Sequence, residues 1–107
     1  MKVTVYHREG LENNVFARVA EVEAPTKDVE EALEYAYRWT QNIEGSWSRK
    51  DLENNRDANS DVEFVGDYPK SKDGEIMGAR STMAFDVMYT NGSKFEVNPI
   101  GGFKKVA

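Results

Sequence analysis

One stretch of this chain carries a clear helical period, and that limits the architecture more than any other feature. Behind Pro25-Thr26, residues Val29, Ala32, Leu33, Ala36, Tyr37, Trp39 and Thr40 recur at spacings of three and four, which gathers them into a broad packing stripe. Arg38, Glu30, Glu31 and Glu34 largely occupy the opposite face. Thr26 or Asp28 can accept from the free amides of the first turn, and Asp28, Glu30 and Glu31 set negative charge against the positive helix end. The pattern predicts a helix ending near Asn42 to Ile43, with Gly45 as its left-handed cap.

The helix must bury its stripe on something, and the flanking sequence offers strands. KVTVYH (2–7) places Val3, Val5 and His7 on one face and Thr4 and Tyr6 on the other. Residues 8–14 read as a loop or turn, and VFARVAEVEA (15–24) as a second strand antiparallel to the first. VEFVG (62–66) is a short strand. Residues 44–61 form a long polar surface loop, with one short helical turn around 50–54, and residues 67–75 are rich in turn residues. In GARSTMAFDVMYTNGSKFEV (78–97), alternating apolar residues run into Asn91-Gly92 and out again, the pattern of a β-hairpin. GGFKKVA supplies a last strand.

Two hairpin registers fit. A two-residue loop pairs Thr90 with Ser93, Met88 with Phe95 and Asp86 with Val97, so Asp86 intrudes on an apolar face. A three-residue loop opposes Tyr89 to Phe95 and Val87 to Val97, separating the apolar set cleanly. In either register the order is β-β-α-β-β-β: an α+β fold in one domain, 1–107, with a twisted antiparallel sheet of about 4–6 strands and one main helix packed on one face. The opposite face is left partly exposed, which makes it the place for a partner.

Composition narrows the partner. With 39% hydrophobic and 31% charged residues the chain reads as a globular protein rather than a disordered one. No apolar run approaches the roughly 20 residues needed to span a bilayer, and MKVTVYH lacks the apolar segment and cleavage site of a signal peptide. Cysteine is absent, which excludes disulfides, a thiol nucleophile and Cys-type zinc sites and suits a cytoplasmic protein. A net charge of −5 has the wrong sign for general nucleic-acid binding, and the carboxylates are too interleaved with lysine and arginine to mimic a phosphate backbone.

No pattern of enzyme chemistry emerges. His7 is the single histidine, so a metal site would need several carboxylates around it, and none is expected. DLENNRDANSD (51–61) lacks the glycine and the twelfth-position glutamate of an EF-hand. None of the serines lies in a nucleophile elbow, and no phosphate-cradling loop is present, so neither catalysis nor a cofactor is expected. Two clusters remain. In GSWSRK (45–50), Trp47 and Ser48 can anchor the loop onto the core, or Trp47 can stand exposed beside Arg49 and Lys50 as a protein-binding hot spot. Arg80 can pair with Asp86 or with a helix carboxylate and pin the hairpin, while Ser81 and Thr82 cap free backbone groups; the other reading makes them a ligand site.

The segment ALEYAYRWTQNIEGSWS (32–48), the box RSTMAFDV (80–87) and Gly102-Phe103 resemble a family of small, mostly phage-encoded proteins of uncharacterised function, whose late box usually reads RSTSVGD. Here Met83, Ala84 and Phe85 stand in place of Ser-Val-Gly, and Arg80, Ser81, Thr82, Asp86 and Val87 match. The resemblance implies a phage or prophage origin and a site of action in the host cytoplasm, and it implies no enzyme activity or ligand. The resulting expectation is a non-enzymatic protein-binding module, a regulator or inhibitor of a host protein, whose partner is a host or phage protein. The alternative is a nucleic-acid-binding accessory protein using a patch of Trp47, Arg49 and Lys50. A deep polar pocket beside Arg80 and Asp86 would instead favour a small-molecule site. Homodimerisation through a sheet edge or face carries no explicit signal.

Overall fold

A computed structural model describes residues 1–10, 12 and 14–106; the ends of two sequence-based elements, Leu11 and Asn13 in the first loop and Ala107 in the last strand, lie outside the described residues. The chain runs β1 (Lys2–Arg8), β2 (Phe16–Glu23), α1 (Val29–Trp39), β3 (Val62–Phe64), β4 (Val87–Thr90), β5 (Ser93–Val97) and β6 (Phe103–Val106). The six strands form one antiparallel sheet in the order β3-β2-β1-β4-β5-β6. The α+β class stands, with the 78–97 hairpin adding one strand to the expected order. Among the described residues, no helix is long and apolar enough to cross a membrane.

β1 is central because its alternation is the cleanest. Val3, Val5 and His7 all point to the helix side and are buried. Ala32, Leu33 and Ala36 of α1 close over them, and the two alanines let the helix approach the sheet closely. Asp28 caps the helix by accepting from the Glu31 amide at 2.9 Å, and Thr26 accepts from the Asp28 amide at 3.1 Å.

The helix ends three to four residues earlier than its pattern predicts. Thr40 is the C-cap, and its hydroxyl donates back to the Ala36 carbonyl at 2.7 Å. Gly45 does not take a left-handed cap. It is needed for a close approach, since a Cβ there would lie 2.1 Å from Asn55 Oδ1.

β2 carries a bulge. Val5 pairs with Ala20 but Tyr6 pairs with Arg18, so Val19 is an extra residue and Val19 and Ala20 are both buried. At the hairpin, Asn91 (φ 52°) and Gly92 (φ 74°) form a two-residue turn with Thr90 opposite Ser93 and Met88 opposite Phe95. That register puts Asp86 on the buried face. The 44–61 segment is more than a solvated loop: Trp47, Ser48 and Asp57 are buried within it, and residues 50–54 turn without forming a helix.

Candidate functional site

Asp86 is fully buried at the mouth of the hairpin, in contact with four donors. Its Oδ1 accepts from the Arg8 amide and from Arg80 Nη2, each at 2.8 Å. Its Oδ2 accepts from Arg80 Nη1 at 2.7 Å and from the Met83 amide at 2.8 Å. Arg80 Nη1 and Nη2 also donate to the carbonyls of Ser81 and Arg8. A two-pronged guanidinium with two amides compensates a carboxylate taken out of water, and the pair ties the end of β1 to the start of β4. The backbone bends sharply to allow this. Phe85 has φ 73°, the left-handed conformation that glycine takes freely.

A second polar chain runs from β1 to the helix. His7 Nε2 lies 2.9 Å from Thr82 Oγ1, Thr82 donates to Thr40 Oγ1 at 2.7 Å, and Thr40 donates to the Ala36 carbonyl. A carbonyl only accepts, so each hydroxyl proton is committed toward the helix and the histidine proton sits on Nε2. Burial lowers the His7 pKa to about 4, against the raising effect of Asp86, whose Oδ2 is 4.0 Å away, and with Arg80 lowering it further.

Between these chains, the segment after the helix is stitched to the box. Trp47 Nε1 donates to the Arg80 carbonyl at 2.8 Å, and Ser48 Oγ accepts from the Ala79 amide at 2.8 Å. Gln41 donates to the Thr82 carbonyl, Asn42 Nδ2 to the Ala79 carbonyl, and the Asn42 amide to Ser81 Oγ. The Trp47 indole is wholly buried, edge-on to Phe64 and His7.

Asp57 organises the neighbouring loop. Its Oδ2 accepts from the amides of Ile43 and Glu44, each at 2.7 Å, and Arg38 approaches Oδ1 at 3.3 Å. Burial alone would raise its pKa, but the amides of Glu44, Ile43 and Gly45, with Arg38, outweigh burial and hold the carboxyl below its usual value. Asn55 closes the loop, donating to the carbonyls of Ser46 and Arg49 and accepting from the Ser46 amide at 2.9 Å.

Six of the seven residues singled out in the sequence therefore converge: Trp47, Ser48, Arg80, Ser81, Thr82 and Asp86. Arg49 stands at the rim, bonded to Asp51 through Nε and Nη2 and to the Ile76 carbonyl. Two readings change. Trp47 offers no face to solvent, so it is neither an exposed hot spot nor a stacking platform, and Lys50 turns its ammonium to the carbonyls of Asn59 and Val62. Thr82 does not cap a strand; its hydroxyl joins His7 to Thr40. Sequence reasoning placed Thr40 in the packing stripe without its polar role and passed over Asn55 and Asp57, which bond across gaps of six to fourteen residues and leave no local signature. His7 was placed on the packing face of its strand and weighed as a metal ligand, without a polar partner. Among the described residues, no group of three His, Cys, Asp or Glu is placed to hold a metal.

Two clefts flank Arg80. One, of about 250 Å³, has His7 in its lining; the other, of about 170 Å³, lies beside Met83 and Ala84. The sheet face away from the helix carries a different feature. Tyr6 and Tyr89 meet edge-to-face with centroids 5.3 Å apart, and with Phe16, Val87 and Lys94 they line a cup of about 160 Å³. Arg8 and Lys94 lie 5.8 and 5.9 Å from the centre of the Phe16 ring. Comparison with family models, curated proteins and solved structures found no match.

Proposed function

We propose that this chain is a non-enzymatic protein-binding module of phage type, working in the host cytoplasm and engaging a host or phage protein through the helix-free face of its sheet. The observation that carries the reading is the aromatic cup. Tyr89 is 42% exposed on a strand whose opposite face is core, and aromatic side chains beside cations are what protein hot spots are made of. Arg8 and Lys94 give this patch a positive character within a chain of net charge −5. A partner surface with an apolar side chain and a neighbouring carboxylate fits it. The polar network of Arg80, Asp86 and Trp47 supports this assignment from the other side, because its donors and acceptors are spent within the chain. The phage-type box adds the expectation of a regulator or inhibitor of a host protein.

Affinity capture from host lysate tests the reading, using wild type, Tyr89→Ser and Lys94→Glu. Wild type is expected to retain a partner protein that both variants lose, while their melting stays within about 1 kcal/mol of wild type. Equal capture by all three sinks the assignment to this face. A salt-sensitive gel shift with nucleic acid and no retained protein would replace it with the nucleic-acid reading.

A further inference from the structure

We propose that the cleft above His7 is a binding site for a primary ammonium group carried on a short apolar stem. The site lies on the helix side of the sheet and stands independently of the aromatic cup.

The argument begins with an acceptor left over. His7 is 6% exposed, and its Nε2 proton is committed to Thr82. Its Nδ1 bonds to no described residue, yet among the described residues no buried side-chain nitrogen or oxygen lacks a partner. Nδ1 therefore opens into the cleft of about 250 Å³ that His7 lines. Because burial keeps the imidazole neutral down to about pH 4, a lone pair is available there at neutral pH.

The remaining groups of the cleft sort by what they have left to offer. Arg80 directs four N–H donors at Asp86 and at the carbonyls of Ser81 and Arg8, and its charge is balanced by Asp86. Arg8 reaches Gly10 and Asn14, and its guanidinium lies over Phe16. Glu9 and Asp67 are exposed and their carboxylates bond no described residue. The cleft thus presents an imidazole acceptor at its floor and two free carboxylates in its lining. An ammonium group brings three N–H donors and the matching charge. Val19, Pro69 and Ala79 in the same lining suit an alkyl stem. A carboxylate or phosphate would meet two like charges and an arginine fork already filled.

Ring-nitrogen NMR of His7 tests this, with putrescine and Nα-acetyl-lysine methylamide as probes and n-butanol as the uncharged control. The expected result is a shift of the Nδ1 signal with either amine and none with butanol. Glu9→Gln and Asp67→Asn are each expected to weaken the amine about three- to fivefold, the worth of an exposed charge pair. A response to the diamine alone supports a free amine as ligand, and a response to the lysine derivative alone supports a lysine side chain of a partner. The proposal is overturned if neither amine moves Nδ1 up to about 20 mM, well beyond millimolar affinity. It is equally overturned if butanol acts as strongly, or if both charge variants bind like wild type.

Discussion

Asp86 and Asp57 bury their carboxylates in neighbouring parts of the molecule and meet the cost of desolvation by different means. Asp86 takes both prongs of Arg80 at 2.7 and 2.8 Å, the Met83 amide of its own turn, and the Arg8 amide from the end of β1. Asp57 is served mainly by consecutive amides just past α1, and its cation, Arg38, stays 3.3 Å away and reaches Oδ1 alone. One carboxylate, paired with a cation six residues before it, ties its turn to an amide 78 residues away in β1. The other shapes a local loop through the backbone, as an anion fills a nest of amides. The difference teaches that a buried acid can index topology or shape a loop, according to which donors surround it.

The comparison can be broken most directly at Asp86. Asp86→Ala is expected to cost about 3–5 kcal/mol in denaturant unfolding, because it leaves Arg80 and two amides without their acceptor. A loss below about 1 kcal/mol would remove the hub from the account of stability.

The next effect is pH-dependent and belongs to the Asp86 side. The His7 pKa is lowered to about 4 in the folded chain, against about 6.5 when unfolded, so between these values the unfolded state binds a proton that the folded state does not. Stability is therefore full above pH 6.5 and falls through that window by up to about 3 kcal/mol. His7→Gln keeps a donor for Thr82 and should flatten the slope. An unchanged slope would place the acid sensitivity elsewhere.

Asp57 responds lower on the scale. Its carboxyl is held below the ordinary value, so its contribution is complete above about pH 4, the unfolded value, and is lost as pH falls through the folded one. Asp57→Asn is expected to cost about 1–2 kcal/mol at neutral pH and to shrink the acid-unfolding step below pH 4. Were the step unchanged, the amides of Ile43 and Glu44 would not be what holds the charge.

The smallest effect sharpens the contrast between the two cations. Arg38→Ala is expected to cost less than about 1 kcal/mol, because its contacts are long and meet one oxygen, whereas the two-pronged Arg80→Ala should cost several times more. Equal losses would make the two carboxylates alike after all.

How far the fold was legible follows from where its causes lie. The helix and β1 could be read because their packing residues recur within one element, as Ala32, Leu33 and Ala36 or Val3 and Val5 do. The hairpin register could not be chosen, because the pairing that buries Asp86 makes sense only once Arg80 folds back onto it. β2 was blurred by the bulge at Val19, and the helix end by Thr40, whose hydroxyl turns to Ala36 and Thr82 instead of letting another turn form. Within the candidate site the residue types stood out and their orientation did not. Trp47 between two serines is visible in sequence, whereas its indole donating to the Arg80 carbonyl depends on a segment thirty-three residues away.

The threonine chain has a consequence for how α1 sits. A helix face of Ala32 and Ala36 is nearly smooth, and a smooth face can rotate or slide on a sheet with little change in buried area. The path from His7 through Thr82 and Thr40 to the Ala36 carbonyl works as a keyway: each hydroxyl has one proton to give, so a turn of the helix in either direction leaves an end of the path unmatched. Burial of apolar surface holds the helix down, and three short polar contacts decide the angle at which it rests.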